Sequence, residues 1–325
     1  MKKFLALLFM LTLSLSLCAC NKSKSTDPLK TANQLSIGKF DTTPTIEESV
    51  IYNENDIKIT ANNLTYTNRS AELKLTFENN TDKDLSFICG SVGYDIISVN
   101  EYMADDGYIS CDVPAGESAS DKMTFDISSL KAYGITCIAD ITTGFDISDD
   151  NYNSIYTGPL QIKTTAADSY DYSQNRYMDI IKSGKFEGEF DCTIDYVSDK
   201  TIYNNLDFQI SSVAVSTNSD GIPILALEFA NNSTERMHFK IKEVHINNNL
   251  VYESLWTSNS INSKKKFVEG INLSQLAEKY EGDSNDISTI SNISFVFEIG
   301  KTFNDTNDSQ KISISLPNIK IPSNK

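Results

Sequence analysis

A chain of 325 residues with 44 acidic and 28 basic side chains carries a formal net charge of −16. Its length suits two domains of ordinary size, and its acidity excludes nucleic-acid binding, because such a surface repels a phosphate backbone. Two histidines and six cysteines leave few candidates for metal or thiol chemistry.

The chain opens "MKKFLALLFMLTLSLSLCAC". Lys2 and Lys3 form a positive n-region. Phe4 to Leu17 form an apolar run, broken only by small hydroxyl residues and shorter than the ~20 residues of a membrane-spanning helix. Residues 1–19 read as a signal peptide. The closing "LCAC" resembles the lipobox of bacterial lipoproteins, with Leu17, Cys18 and Ala19 before the acceptor Cys20. Cys18 is not the acceptor, because Leu17 would then stand where the family takes a small residue. The resemblance implies cleavage before Cys20, a diacylglyceryl group on its thiol, and a chain held on the outer side of the cell membrane. Each buried methylene contributes ~0.8 kcal/mol, and two chains anchor stably where one does not. Residues 20–36, rich in Lys, Ser, Thr and Asn, read as a flexible tether.

From there the chain is written twice. "LKLTFENNTDKDLSF" at 73–87 returns as "LALEFANNSTERMHF" at 225–239. Upstream, "IYNENDIKIT" parallels "IYNNLDFQIS"; downstream, "FDISSLKAY" parallels "INLSQLAEKY" and "ITCIADI" parallels "ISNISFVFEI". The spacing, roughly 150 residues, is too long for a solenoid unit, so two copies of one domain are expected, over 37–165 and 184–320. Leu73, Leu75 and Phe77 alternate with polar residues, as do Leu225, Leu227 and Phe229, which predicts antiparallel strands with one wet face. Short strands between Asn-, Asp-, Gly- and Ser-rich turns predict sandwiches. One-turn helices are expected at Ser128–Tyr133 and Ser274–Tyr280, each capped by its Ser. Between the copies, 166–183 predicts a short helix capped by Ser173, carrying Tyr177, Ile180 and Ile181 inward and ended by Gly184.

Asn79-Asn80-Thr81 and Asn231-Asn232-Ser233 follow an inward Phe and read as a hairpin connection, since Asn bonds its own backbone in turns; the rival reading is a glycosylation sequon. "FENNT" and "FANNS" resemble the "F-x-N-x-[ST]" strand end of lipoproteins of Gram-positive bacteria that carry immunoglobulin-like domains. The expected fold is all-β: two tandem immunoglobulin-like antiparallel β-sandwiches, each with a one-turn helix. The group lends no activity. The antibody marks are missing, with no Cys–Cys pair spanning each copy and no Trp in the first.

Chemistry is sparse. His238 and His245 lie seven apart, on opposite faces of a continuous strand. Cys89, Cys111, Cys137 and Cys192 allow three pairings, yet Cys89 aligns with Ile241, and Cys137 shares an alternating pattern with Ile135, Ala139 and Ile141, which fits a small buried residue. No phosphate loop or nucleophile elbow is present, and no cofactor is expected. Asp146, Asp149 and Asp150 in one loop, and Asp305, Asn307 and Asp308 in another, are candidates for a loose calcium cage, though the second lacks the Gly and Glu of an EF-hand. Lys264, Lys265 and Lys266 on one turn are candidates for an anionic polymer or headgroups. Tyr252 and Trp256, on one strand face, are candidates for a glycan or protein contact. The sequence therefore favours a lipid-anchored, non-enzymatic binding or spacer module at the cell envelope. Its alternatives are a polymer-processing enzyme or accessory using loop carboxylates, and calcium-dependent adhesion.

Overall fold

The computed structural model describes residues 37–90, 97–205, 207–252, 258–276, 292–302 and 310–317. The first copy contains β1 (Ser49–Glu54), β2 (Ile57–Tyr66), β3 (Ser70–Asn79), β4 (Leu85–Cys89), β5 (Ser98–Val99), β6 (Tyr102–Met103), β7 (Ile109–Val113), β8 (Ser118–Asp126), α1 (Ile127–Ala132), β9 (Asp140–Thr143), β10 (Asp146–Asp149), β11 (Ser154–Tyr156) and β12 (Leu160–Lys163). The joint carries α2 (Arg176–Lys182) and α3 (Lys185–Phe190). The second copy contains β13 (Cys192–Ser198), β14 (Tyr203–Asn204), β15 (Phe208–Asn218), β16 (Pro223–Asn231), β17 (Met237–Ile246), β18 (Asn249–Tyr252), β19 (Ser258–Ile261), β20 (Lys266–Asn272), β21 (Asn292–Gly300) and β22 (Gln310–Pro317).

The fold is all-β, as the alternation predicts. Leu73, Leu75 and Phe77 are fully buried, as are Leu225, Leu227 and Phe229. In the first copy the sheet β1-β2-β3-β8 faces β11-β10-β4-β7; in the second, β13-β15-β16-β20 faces β18-β17-β21-β22, with β19 on β17. The two sandwiches keep separate aromatic cores of the same design. Phe77 lies 4.9 Å from Phe87 and meets Phe145 edge-on at 5.3 Å. Phe229 lies 4.5 Å from Phe239 and meets Phe297 edge-on at 5.5 Å. Each such ring contributes about 1.5–3 kcal/mol by burial.

The register corrects one sequence alignment. Phe87 pairs with Ile147 and Phe239 with Ile299, so "FDI" at 145–147, not "ITCIADI", matches "FEI" at 297–299. Cys137 accordingly sits half-buried on a bend before β9 rather than inside an alternating strand.

The repeated Asn-Asn is not a hairpin either. β3 and β4 belong to different sheets, as do β16 and β17, so each motif crosses the sandwich. Asn79, fully buried, donates to the carbonyls of Lys83, Val113 and Pro114 and accepts from the backbone N–H and hydroxyl of Thr81. Asn231 does the same with Glu235, Ile261, Asn262 and Ser233. A primary amide has two donor hydrogens and two acceptor lone pairs, and here it ties the crossing to the strand end opposite. That use also closes both side chains to glycosylation.

The caps differ from expectation in a consistent way. α1 is capped by Asp126, which accepts from Ser129 N–H. The turn at 273–276 is capped by Asn272, and α2 by Asn175 rather than Ser173. In each case a carboxyl or amide immediately before the helix takes the cap. α2 buries Tyr177, Met178, Ile180 and Ile181. Gly134, at φ 79°, lets the end of α1 touch α2; a Cβ there would meet the Arg176 carbonyl oxygen at 2.7 Å.

Candidate functional site

The densest chemistry lies where the sandwiches meet. Strand β6 of the first runs parallel to β20 of the second, with Tyr102 opposite Lys266. This joins β12-β9-β5-β6 to β20-β16-β15-β13 in one continuous sheet. The Lys266 N–H donates to the Glu101 carbonyl at 2.7 Å. α2 covers the sheet beside this line, so Tyr177, Met178 and Ile181 belong to the same apolar cluster as Ala214 on β15.

Three carboxylates occupy the seam. Glu228 is fully buried on β16. It accepts from Tyr102 hydroxyl at 2.7 Å, from Ser211 and Ser212 at 2.6 and 3.1 Å, and from Asn175 at 3.3 Å. Lys266 Nζ stands 4.0 Å from it and 5.5 Å over the Tyr102 ring. Burial, then the Glu228 carboxylate, pushes the Tyr102 hydroxyl far above its ordinary range, so it stays a donor. Glu101 accepts from Tyr170 at 2.8 Å and pairs with Arg176 at 3.2 Å. Burial raises the Glu101 carboxyl, against the pull of Tyr170 and Arg176. Asp140, on β9, accepts from Tyr172 and pairs with Lys265 at 3.2 Å. Buried ions cost stability unless their hydrogen bonds are completed; here Glu228 and Asp140 each have two donors or more, and Glu101 has the Tyr170 hydroxyl and the Arg176 charge. The arrangement holds two bodies in one pose.

The sequence-predicted residues fall as follows. Lys264 is exposed and its ammonium reaches the Asn232 carbonyl. Lys265 and Lys266 turn inward to Asp140 and Glu228, so the expected three-cation tip presents one cation. Tyr252 is half-buried against the second core. Trp256, Cys20, Asp305, Asn307 and Asp308 lie outside the described residues. Asp149 caps its own loop through Asn151 and Asn153 and pairs with Lys83 at 2.7 Å. The Lys83 and Asn153 contacts hold its carboxyl well below the usual range.

The histidines share a face after all, because β17 is bulged between Ile241 and Glu243. They remain about six residues, or roughly 20 Å, apart along the sheet. His238 bonds Ser260, His245 bonds Glu243, and burial lowers His238 to about 4. None of the four described cysteines forms a disulfide. Burial raises the thiols of Cys111 and Cys137, and pushes that of Cys192 up to about 11, the opposite of what a nucleophile needs. Among the described residues, no group of three His, Cys, Asp or Glu side chains could hold a metal ion. A shallow depression of about 390 Å³ on the outer face of β2-β3-β8 is lined by polar side chains, including the Glu72–Lys122 pair at 2.9 Å.

The seam residues escape a reading of the repeat because they lie where the copies differ. Glu228 stands where the first copy has Thr76, each directly before the core Phe of its strand, at 229 and 77. A charged residue replacing a hydroxyl on an otherwise repeated strand is the signal that comparison of the copies offers.

No family model and no curated protein matches the chain. Among solved structures, the exo-chitosanase CsxA of Amycolatopsis orientalis matches at 9% identity and TM-score 0.19, over 83% of this chain and 26% of the other. This chain thus spans about a quarter of that protein's length. An anti-sigma factor domain-containing protein matches at 11% identity and TM-score 0.15, over 85% of this chain and 91% of the other. Likenesses this low carry no argument about fold or function.

Proposed function

We propose that the protein is a lipid-anchored, non-enzymatic module on the outer side of the cell membrane, which holds a paired sandwich as a stiff spacer or binding body. The seam carries this reading. Three buried carboxylates, each hydrogen-bonded and each facing a cation, together with a sheet continuous across both copies, are what a body of fixed shape needs. A chain built to move would keep this joint small and wet. The "LCAC" ending and the apolar run before it support the anchor at Cys20. The partner is a wall polymer, a glycan or a protein.

The anchor is tested by fractionation. The native protein should partition into detergent and label with fatty acid, while Cys20→Ser should appear unlabelled in the medium. A Cys20→Ser variant that stays with the cells as firmly as the native chain would reject the reading. Pull-down from intact envelope, using the chain with Cys20→Ser, tests the binding role. Turnover of a wall polymer in the same assay would reject the non-enzymatic part.

A further inference from the structure

We propose that Lys265 and Asp140 condense into an amide, joining the two sandwiches covalently across their seam. Lys265 precedes β20 of the second copy and Asp140 opens β9 of the first. Their side chains keep 13% and 1% of their exposure, and Nζ stands 3.2 Å from Oδ1. No other described lysine within hydrogen-bond distance of a carboxylate faces one so completely buried.

Both reacting residues are clamped by a buried asparagine. The Asn100 side chain accepts from the N–H groups of Ala139 and Asp140 at 2.7 and 3.1 Å and donates to the Cys137 carbonyl at 2.8 Å. This fixes the backbone that carries Asp140. On the other side, Asn231 N–H donates to the Lys265 carbonyl at 2.9 Å, and Lys265 N–H donates to the Asn262 carbonyl. The Asn231 amide in turn holds the Asn262 carbonyl at 3.2 Å. Asn100 and Asn231 are themselves at most 1% exposed. The Lys265 ammonium also donates to the Asn100 carbonyl, which aims it along the seam. Groups held this way react with effective concentrations on the order of 10⁵–10⁸ M.

The step balances without any added reagent. Lys265 first yields one ammonium proton to the Asp140 carboxylate, leaving a neutral amine beside a neutral acid. The Nζ lone pair attacks Cγ, and a C–N bond forms. The Cγ–Oδ1 bond breaks, and that oxygen departs as water with the proton it took from Lys265 and a second one lost by the nitrogen. Tyr172, whose hydroxyl donates to Oδ2, steadies the charge that gathers on Oδ2 as Nζ attacks. Tyr172 is 41% exposed, which gives the water a route out. Net charge is unchanged, because one cation and one anion become one neutral amide.

The test is peptide sequencing by mass spectrometry on the full-length protein, digested after complete denaturation. A branched peptide should carry Lys265 joined to Asp140, lighter than its two linear parts by one water. It should account for most of the protein and vanish in Lys265→Arg and in Asp140→Ala. Recovery of the two peptides chiefly unlinked overturns the proposal and needs no variant to fold. A branch that survives in Lys265→Arg overturns the assignment.

Discussion

The hydroxyl of Tyr102 in the first sandwich donates to Glu228 Oε1 in the second at 2.7 Å, across 126 residues of sequence. Tyr102→Phe removes one donor from a buried anion that keeps Ser211 and Ser212. A hydrogen bond to a charged group contributes about 1.5–3 kcal/mol, so the unfolding free energy measured in urea should fall by that amount. A loss below about 0.5 kcal/mol, the range of an ordinary surface change, would show that this bond across the seam adds nothing.

Asn79 and Asn231 each close a crossing with one amide. Either Asn→Ala change leaves three carbonyls that lose a shared donor, and buried polar groups left unpaired cost about 1–3 kcal/mol apiece. We expect at least about 3 kcal/mol lost in each variant by equilibrium unfolding. The neighbours Asn80 and Asn232 are exposed, and their Ala variants should melt within a degree or so of the parent, as surface changes do.

Glu269, on β20, is raised from the ordinary glutamate value of 4.5 to about 8, first by burial and then by Asp105, against a hydrogen bond from Asn259. An acid whose folded value lies above its unfolded one binds its proton more tightly when folded. Its contribution is therefore complete below 4.5 and lost as pH climbs through about 8. Melting temperature should decline over that window, and Glu269→Gln should flatten the decline. Asp149 acts in the opposite sense: its lowered carboxyl contributes stability that disappears as pH falls through the folded value. Asp149→Asn should weaken the loss of stability in acid and also the loss at high pH, because the Asp149 carboxylate raises the Lys83 ammonium.

None of Cys89, Cys111, Cys137 and Cys192 is in a disulfide. Dithiothreitol should leave the melting temperature unchanged. Cys192, pushed up to about 11 by burial and then by Glu187, should alkylate far more slowly in the native protein than in denaturant, because the thiolate is the reacting form. Equal rates would mean that its environment is open.

What is legible in the sequence is what repeats. Alternation at Leu73–Phe77 and Leu225–Phe229 locates the central strands, because one wet face leaves a period of two. The Asn pair is visible but its role is not, since a hairpin and a crossing both need an amide that bonds its own backbone, and only sheet membership separates them. The Ser caps fail because the helices begin elsewhere, after Asp126, Asn175 and Asn272, whose side chains bond the first free N–H groups. The histidines read as lying on opposite faces because a bulge has no composition. The seam stays hidden because Lys265 reads as one of three surface cations until the fold brings Asp140 beside it.

The pairing of β6 with β20 has one more consequence. Each of these strands would otherwise end its sheet with a row of unpaired N–H and C=O groups, the kind of margin along which chains stack into aggregates. Where Tyr102 meets Lys266 each margin closes the other, and Lys265 and Lys266 turn inward beside that point to buried carboxylates. Either half produced alone would bare its margin, together with the greasy flank beneath α2, and should precipitate where the joined pair stays dissolved.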